Sequence, residues 1–313
     1  MPETKALKTG RVLLSARDKP GIHEAITSVI RKAECTVMDS VGKSIDGYYL
    51  LRTEFSATDG RNTSLGQIRE QFELALKALD LGDPGLKVVN AERRKKTMIL
   101  VSEATYCMEE VLSHWKQGDL NIDIACVITN NERTRRRAAE AYPELDVIFK
   151  DAGDRRRDKE RFESKKLAAE SSIYATSQKR GVDFYTLAKW HRILMKEGPL
   201  LNPNLNNSPI LSVHPSLLPS FIGGKAVLDA YRAGVKVSGA TAHLVTPEDQ
   251  GIDTGPKIAQ ITREVGNLSL PDFEKAVQFA EREALYKSVK MVSEDRFLIY
   301  RDPESGTRKT FIF

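Results

Sequence analysis

The chain has 313 residues, of which 41% are hydrophobic and 29% charged, and its formal net charge is +5 at pH 7. This composition excludes a wholly disordered chain, and the length is sufficient for two domains with separate cores. No apolar run approaches the length of a membrane span, and the N-terminal residues lack the apolar core of a secretory signal. We therefore expect a cytoplasmic protein with no membrane partner.

Three cysteines are present, Cys35, Cys107 and Cys126, and they are widely spaced with no CxxC pair. Their odd number and spacing predict neither a disulfide framework nor a zinc site, so we expect small buried hydrophobic residues. No group of His, Cys and Asp residues has the spacing of metal ligands, so no metal is predicted.

The first part of the chain alternates between strand-like and helix-like hydrophobic patterns. The predicted elements are the strand Arg11–Ala16, the helix Ile22–Ala33, the strands Thr36–Val41 and Tyr48–Phe55, the helix Leu65–Leu79 and the strand Leu86–Val89. This β-α-β-β-α-β order is typical of a ferredoxin-like α+β domain, placed at residues 10–91. The charged run that follows, residues 91–96, is predicted to be an exposed linker. It is short and lacks interleaved aromatic residues, so no nucleic-acid partner is expected.

From Thr97 onwards, strand and helix patterns follow each other in turn. The predicted strands are Met98–Val101, Ile122–Thr129, Val147–Phe149, Val182–Ala188, Ile210–His214 and Val237–Val245, with a terminal hairpin of Arg296–Tyr300 and Lys309–Phe313. The predicted helices are Met108–Trp115, Arg135–Ala141, Asp158–Gln178, one that ends at Gly234, and a long one capped by Ser269 and Asp272. Such alternation predicts an α/β domain at residues 97–313, with a doubly wound, mostly parallel sheet.

A histidine and an aspartate stand out in this second domain. His214 ends the predicted strand Ile210–His214 and is followed at once by Pro215, which favours an extended geometry for the histidine. Catalytic groups of open α/β sheets gather at such strand ends. Asp253 follows among glycines and a proline. Either residue alone could be structural, but an imidazole with a carboxylate can move a proton near neutral pH, so the pair predicts an acid–base site.

Glycines are missing after the first strand of the second domain, where the chain reads SEATYC from Ser102 to Cys107. Without glycines, backbone amides cannot come close to a phosphate. A dinucleotide site or a phosphate-binding loop is therefore disfavoured.

The block HPSLLP, from His214 to Pro219, resembles the signature of the formyltransferase family, which contains folate-dependent formyltransferases and formyltetrahydrofolate hydrolases. In that family an asparagine stands two residues before the histidine, and the trio of Asn, His and a later Asp is catalytic. Here Ser212 stands at the asparagine position. The resemblance implies that His214 is a general acid and base, that Asp253 orients water and that Ser212 lies at the oxyanion position.

The stretch LAKWHRIL, from Leu187 to Leu194, resembles a second family segment whose main chain binds the pteridine ring of folate. The resemblance implies that Arg192, Ile193 and Leu194 contact the substrate, and that His243 and Ile252 lie near it. The loop before Asp253 is longer than is usual in the family. Folate is the substrate in this interpretation and not a cofactor.

The turn RDKPGI, from Arg17 to Ile22, resembles the ACT domain, an amino-acid-sensing module. This resemblance implies an amino-acid effector at Asp18, Pro20, Gly21 and Ile22, and a homo-oligomer formed through the first domain. A ferredoxin-like domain without a ligand remains the alternative.

The order of an ACT-like domain before a formyltransferase-like domain is characteristic of the formyltetrahydrofolate deformylase branch, and the missing glycine-rich phosphate loop also resembles that branch. The implied reaction is the hydrolysis of 10-formyltetrahydrofolate to formate and tetrahydrofolate. Two alternatives stay open. Ser212 keeps open a catalytically degenerate regulator that binds folate or an amino acid. A formyltransferase acting on an amine acceptor also stays open, because the acceptor side cannot be read from the sequence, although the sensing domain weakens this alternative.

Overall fold

The structure, a computed structural model, describes residues 8–57, 64–153, 161–246 and 253–313. Its described residues form two compact units: those up to Arg93 together with Glu294–Phe313, and those within Arg94–Ser293. The first boundary falls inside the predicted linker at residues 91–96. None of the helices in the described ranges combines the length and the apolar character needed to span a bilayer.

The first unit has the connectivity β-α-β-β-α-β that the hydrophobic pattern predicts. Its elements are β1 (Thr9–Arg17), α1 (Ile22–Lys32), β2 (Cys35–Ile45), β3 (Tyr48–Ala57), α2 (Leu65–Lys77) and β4 (Gly85–Asn90). The four strands pair antiparallel in the order β2-β3-β1-β4. Alternate residues of the strands and one face of each helix form a common core, in which Ile26 and Phe72 are fully buried.

The second unit is an α/β unit built on a seven-stranded sheet. Its strands are β5 (Lys95–Val101), β6 (Ile122–Thr129), β7 (Val147–Phe149), β8 (Phe184–Leu187), β9 (Ile210–His214), β10 (Val237–Leu244) and β11 (Lys257–Glu264). Its helices are α3 (Tyr106–Gln117), α4 (Glu132–Ala141), α5 (Phe162–Arg180), α6 (Ala226–Arg232) and α7 (Leu270–Ser293). The predicted start of α5 at Asp158 lies outside the described residues.

The strand order of this sheet is β11-β10-β9-β8-β5-β6-β7. The strands from β5 to β9 are parallel, whereas β10 is antiparallel to both β9 and β11. The sheet is therefore mixed, and it contains one strand, β11, that the sequence analysis did not predict. The chain extends the sheet in one direction from β5 to β7 and in the other from β8 onwards. Ligands of open α/β sheets bind at the carboxyl ends of the strands beside such a reversal.

The C-terminal hairpin, β12 (Phe297–Arg301) and β13 (Arg308–Ile312), groups with the first unit, whereas the sequence analysis assigned it to the second domain. The hydroxyl of Tyr300 on β12 donates to Asp46 Oδ2 at 3.2 Å, in the turn between β2 and β3. Nearby, the rings of Tyr48 and Tyr300 lie 6.0 Å apart. The hydrogen bond joins residues that are 254 positions apart in the chain, and local hydrophobic patterns do not reveal contacts of that kind.

Candidate active site

His214 is the last residue of β9, and its side chain is almost fully buried. The loop that follows is fixed by the two neighbouring strands. Thr241 Oγ1 on β10 donates to the carbonyl of Ser216 at 2.7 Å, and Gln260 Nε2 on β11 donates to the carbonyl of Leu218 at 2.9 Å. The extended geometry required before Pro215 and these two bonds together set the position of the imidazole.

Both ring nitrogens of His214 face oxygen atoms. Nδ1 lies 2.9 Å from Asp253 Oδ2, and Nε2 lies 2.9 Å from the carbonyl oxygen of Phe221. A carbonyl oxygen can only accept, so the ring donates from Nε2. Burial lowers the pKa of His214, but the hydrogen bonds to Asp253 and Phe221 and the charge of Asp253 outweigh it, so the net pKa is raised. The arrangement favours an imidazolium.

Asp253 faces two imidazoles. Besides its bond to His214, its Oδ1 lies 3.3 Å from Nε2 of His243, although without the alignment of a hydrogen bond. Burial opposes ionisation of the carboxyl, yet its contacts with His214 and His243 hold the pKa of Asp253 well below its usual value. The carboxylate therefore stays charged at neutral pH and can orient both rings.

A cavity of about 640 Å³ opens beside this pair. It is lined by most of the residues that the sequence analysis selected, namely Arg192, Ile193, Leu194, Ser212, His214, His243 and Asp253. Ser212 lies two residues before His214 on the same face of β9 and is paired in register with His243 on β10. Its hydroxyl makes no hydrogen bond with the described part of the chain. The predicted contact residue Ile252 lies outside the described residues.

One wall of the cavity is residues 191–194, here called the cleft strip. The main-chain groups of Arg192 and Leu194 make no hydrogen bond with other described residues, and Ile193 is 64% exposed. The Arg192 guanidinium instead donates to the carbonyl of Gly153 at 2.8 Å. Free main-chain donors and acceptors beside an apolar side chain are suited to a flat heteroaromatic ring with polar edges.

Sequence reasoning missed a charged cluster at the rim of this cavity. Lys189, which lines the cavity, donates to Glu281 Oε1 at 2.6 Å, and Tyr106 donates to Glu281 Oε2 at 2.5 Å. The charge of Lys189 acts to lower the pKa of His214. The sequence could have identified Glu281 as a buried carboxylate, because it lies four residues after Val277 and therefore on the same, buried face of α7.

The predicted effector residues occupy the turn between β1 and α1 in the first unit. Asp18, Pro20 and Gly21 are exposed, and the main-chain N–H of Asp18 donates to the carbonyl of Gly47 at 3.0 Å. Ile22, in contrast, is a core residue at the start of α1 and is 1% exposed. Across the described residues of both units, no group of three or more His, Cys, Asp or Glu side chains could hold a metal ion.

Comparison with known proteins decides the family. The formyl transferase family model matches residues 95–289, which is more than half of the chain. The chain belongs to the formyl transferase family. It is 28% identical over 308 residues to formyltetrahydrofolate deformylase of Bacillus subtilis (strain 168), a match that covers 97% of this chain and 93% of that relative.

Two further relatives carry the same name. The chain is 30% identical over 258 residues to formyltetrahydrofolate deformylase 2, mitochondrial, of Arabidopsis thaliana, covering 79% of this chain and 69% of the relative. The crystal structure of a formyltetrahydrofolate deformylase from Pseudomonas syringae pv. tomato superposes with a TM-score of 0.82 at 25% identity. That superposition covers 99% of this chain and 95% of the other, so the similarity includes both units.

Proposed function

We propose that this protein hydrolyses 10-formyltetrahydrofolate to formate and tetrahydrofolate. The observation that carries the proposal is the bonded pair of His214 and Asp253 at the wall of a ligand-sized cavity. Relatives matched over nearly the whole chain are named formyltetrahydrofolate deformylase, which favours hydrolysis over the two alternatives, a degenerate regulator and a transferase to an amine.

In the proposed mechanism the pteridine lies along the cleft strip, with the formyl group beside His214. Asp253 orients a water molecule for attack on the formyl carbon. The imidazolium of His214 and the hydroxyl of Ser212 donate to the formyl oxygen as negative charge develops there. The pair of His214 and Asp253 takes up one proton of the attacking water. As the C–N bond breaks, His214 delivers one proton to N10, and the pair returns to its starting protonation state. The second proton of the water leaves on formic acid, which ionises to formate in solution.

Formate release from 10-formyltetrahydrofolate by the purified protein tests this mechanism. We expect His214→Ala to lower kcat by about 10²–10⁴, the usual loss for a general acid or base. The control is His114→Gln, which removes a partly exposed histidine of α3 outside the cavity and should leave turnover unchanged. Wild-type turnover in His214→Ala would remove the residue from the mechanism.

We also propose that the first unit is an ACT-like sensor of a small amino acid. Support comes from the exposed turn of Asp18, Pro20 and Gly21 and from a polar pair beside it, since His23 Nδ1 lies 2.9 Å from the Tyr49 hydroxyl. Isothermal titration of the full-length protein with glycine, methionine and the other common amino acids tests the proposal. The absence of binding to every amino acid would count against it.

A homo-oligomer formed through the first unit is the third proposal. Strand β2 is an edge of its sheet and is exposed along most of its eleven residues, with Val37, Met38 and Val41 at 40%, 63% and 39% exposure. A long, exposed edge strand that carries apolar side chains is a template for pairing with another chain. Light scattering after gel filtration should show a dimer or larger species that Met38→Lys converts to a monomer. A monomeric wild-type protein would refute this proposal.

A cytoplasmic location and the absence of nucleic-acid and membrane partners stay predictions from sequence.

A further inference from the structure

The cleft strip is fastened at both ends by side-chain oxygen atoms. At its start, the main-chain N–H of His191 donates to Ser102 Oγ at 3.0 Å. Directly after its end, the main-chain N–H of Met195 donates to Glu170 Oε1 at 2.8 Å. Between these two anchors no main-chain group of Arg192 or Leu194 bonds to another described residue. The course of the strip therefore depends on the two anchors and on the side-chain bond from Arg192 to Gly153.

Glu170 is an unusual residue for its position. It lies on α5 with 3% of its surface exposed, and its second oxygen, Oε2, is buried without a hydrogen-bond partner among the described residues. A Cβ atom at Gly198 would lie 2.4 Å from Oε2, so the carboxyl is packed directly against the turn that follows the strip. Only glycine leaves room for it there.

Keeping a carboxyl at this position is costly. Burial raises the pKa of Glu170 to about 7, which means that the anion is poorly solvated where it lies. A buried polar group with one unused oxygen lowers the stability of the fold, so its presence here calls for an explanation. The bond that it does make goes to the main chain of Met195, next to the cleft strip.

We infer that Glu170 is a positioning residue for substrate binding, which holds the carboxyl end of the cleft strip in its ligand-binding conformation through the N–H of Met195. The inference rests on the proposed function, because it assumes that the strip binds folate. Glu170 does not line the cavity and acts only through the strip. His214 is the last residue of β9, and Asp253 lies between β10 and β11. Loss of the anchor should therefore weaken substrate binding and leave the chemical step intact.

Steady-state kinetics of two substitutions test the inference. Glu170→Met keeps the volume but removes the acceptor, and we expect KM for 10-formyltetrahydrofolate to rise about tenfold with kcat within about twofold of wild type. A tenfold change corresponds to about 1.4 kcal/mol, which is within what the loss of one hydrogen bond costs. Glu170→Gln retains an oxygen that can accept from Met195, so it should keep a KM close to that of wild type.

The control is Glu140→Met, which removes an exposed carboxylate from α4, outside the cavity, and should leave KM and kcat unchanged. Gly198→Ala supplies a second, independent test. Its methyl group would lie 2.4 Å from Glu170 Oε2 and 2.9 Å from Met195 Cβ, so it should displace both partners of the anchoring bond and raise KM. The combination with Glu170→Met should raise KM no further than Gly198→Ala alone. If Glu170→Met does not fold, Gly198→Ala carries the test with the same expectation.

An unchanged KM in the folded Glu170→Met and Gly198→Ala variants would overturn the inference while leaving hydrolysis by the wild type untouched. An equal loss of kcat in Glu170→Met and Glu170→Gln would also overturn it, because the anchor would then not be the cause. A wild-type protein that neither binds folate nor releases formate would refute the proposed function, and the inference would fail with it.

Discussion

Replacing Asp253 with asparagine isolates the charge at the centre of the site. Asn has nearly the same shape as Asp, and its carboxamide oxygen can still accept from Nδ1 of His214, which lies 2.9 Å from Oδ2 in the wild type. The substitution therefore preserves the contact and removes only the negative charge that faces His214 and His243.

The expected shift follows from the balance of influences on His214. Loss of the charge should lower the pKa of His214, because burial and the charge of Lys189 both act in that direction and the charge of Asp253 no longer opposes them. The rate should fall as well, by about 10²–10⁴ in kcat, since the imidazolium loses its counter-ion.

The pH dependence of kcat/KM reports this shift. The limb that follows the protonation of His214 should lie at lower pH in Asp253→Asn than in the wild type, and an NMR titration of labelled histidine should show the same displacement. The control is Asp119→Asn, which changes an equivalent pair on the surface, where Asp119 Oδ2 lies 2.8 Å from Nδ1 of His114. An unshifted limb in Asp253→Asn with an intact fold would refute the assignment of the pair as the proton-transfer unit.

Three more predictions concern the same site. Ser212→Asn should raise kcat about tenfold by extending the oxyanion donor, a gain of about 1.4 kcal/mol; an unchanged kcat would show that position 212 does not contact the formyl oxygen. Lys189→Met should move the limb of the pH profile that reports His214 to higher pH, because the charge of Lys189 lowers the pKa of His214. It should also lower the melting temperature, since Glu281 is left buried without its cation. The stability that the pair of His214 and Asp253 contributes is lost above the raised pKa of His214, and it is lost towards low pH as Asp253 is protonated. The difference in melting temperature between wild type and Asp253→Asn should therefore be largest between about pH 4 and 6.5. A difference independent of pH would contradict this.

Hydrophobic patterning predicted the first unit well because its elements alternate or repeat regularly along the sequence. In the second unit it failed at β11, whose two buried residues, Ile258 and Ile261, are three positions apart and break the period of a strand. Patterning also cannot give strand direction, so the antiparallel pairing of β10 was missed. Since Gln260 on β11 bonds to the loop after His214, the missed strand is part of the scaffold of the candidate site.

For the site itself, the motif around His214 and the isolated Asp253 were sufficient to predict that the two residues meet. Their partners were not predictable, because they depend on contacts between distant segments. Lys189 and Glu281 are 92 positions apart, and the second imidazole at Asp253, that of His243, comes from a neighbouring strand. Local sequence shows which residue types are present, whereas the fold decides which of them interact electrostatically.

In the proposed mechanism, the contact between His214 and Phe221 bears on how a serine at position 212 can replace the asparagine of the family. The carbonyl oxygen of Phe221 lies 2.9 Å from Nε2, where it resembles the formyl oxygen that the proposed mechanism brings to the same N–H. In the free site the Nε2–H of His214 is already aimed at a carbonyl-type acceptor, so the imidazole keeps its orientation when the substrate carbonyl replaces that of Phe221. A charged donor stabilises a developing oxyanion more strongly than a neutral one. With His214 as the main donor, Ser212 needs to supply only the weaker second bond, and restoring asparagine should improve the rate without being required for it.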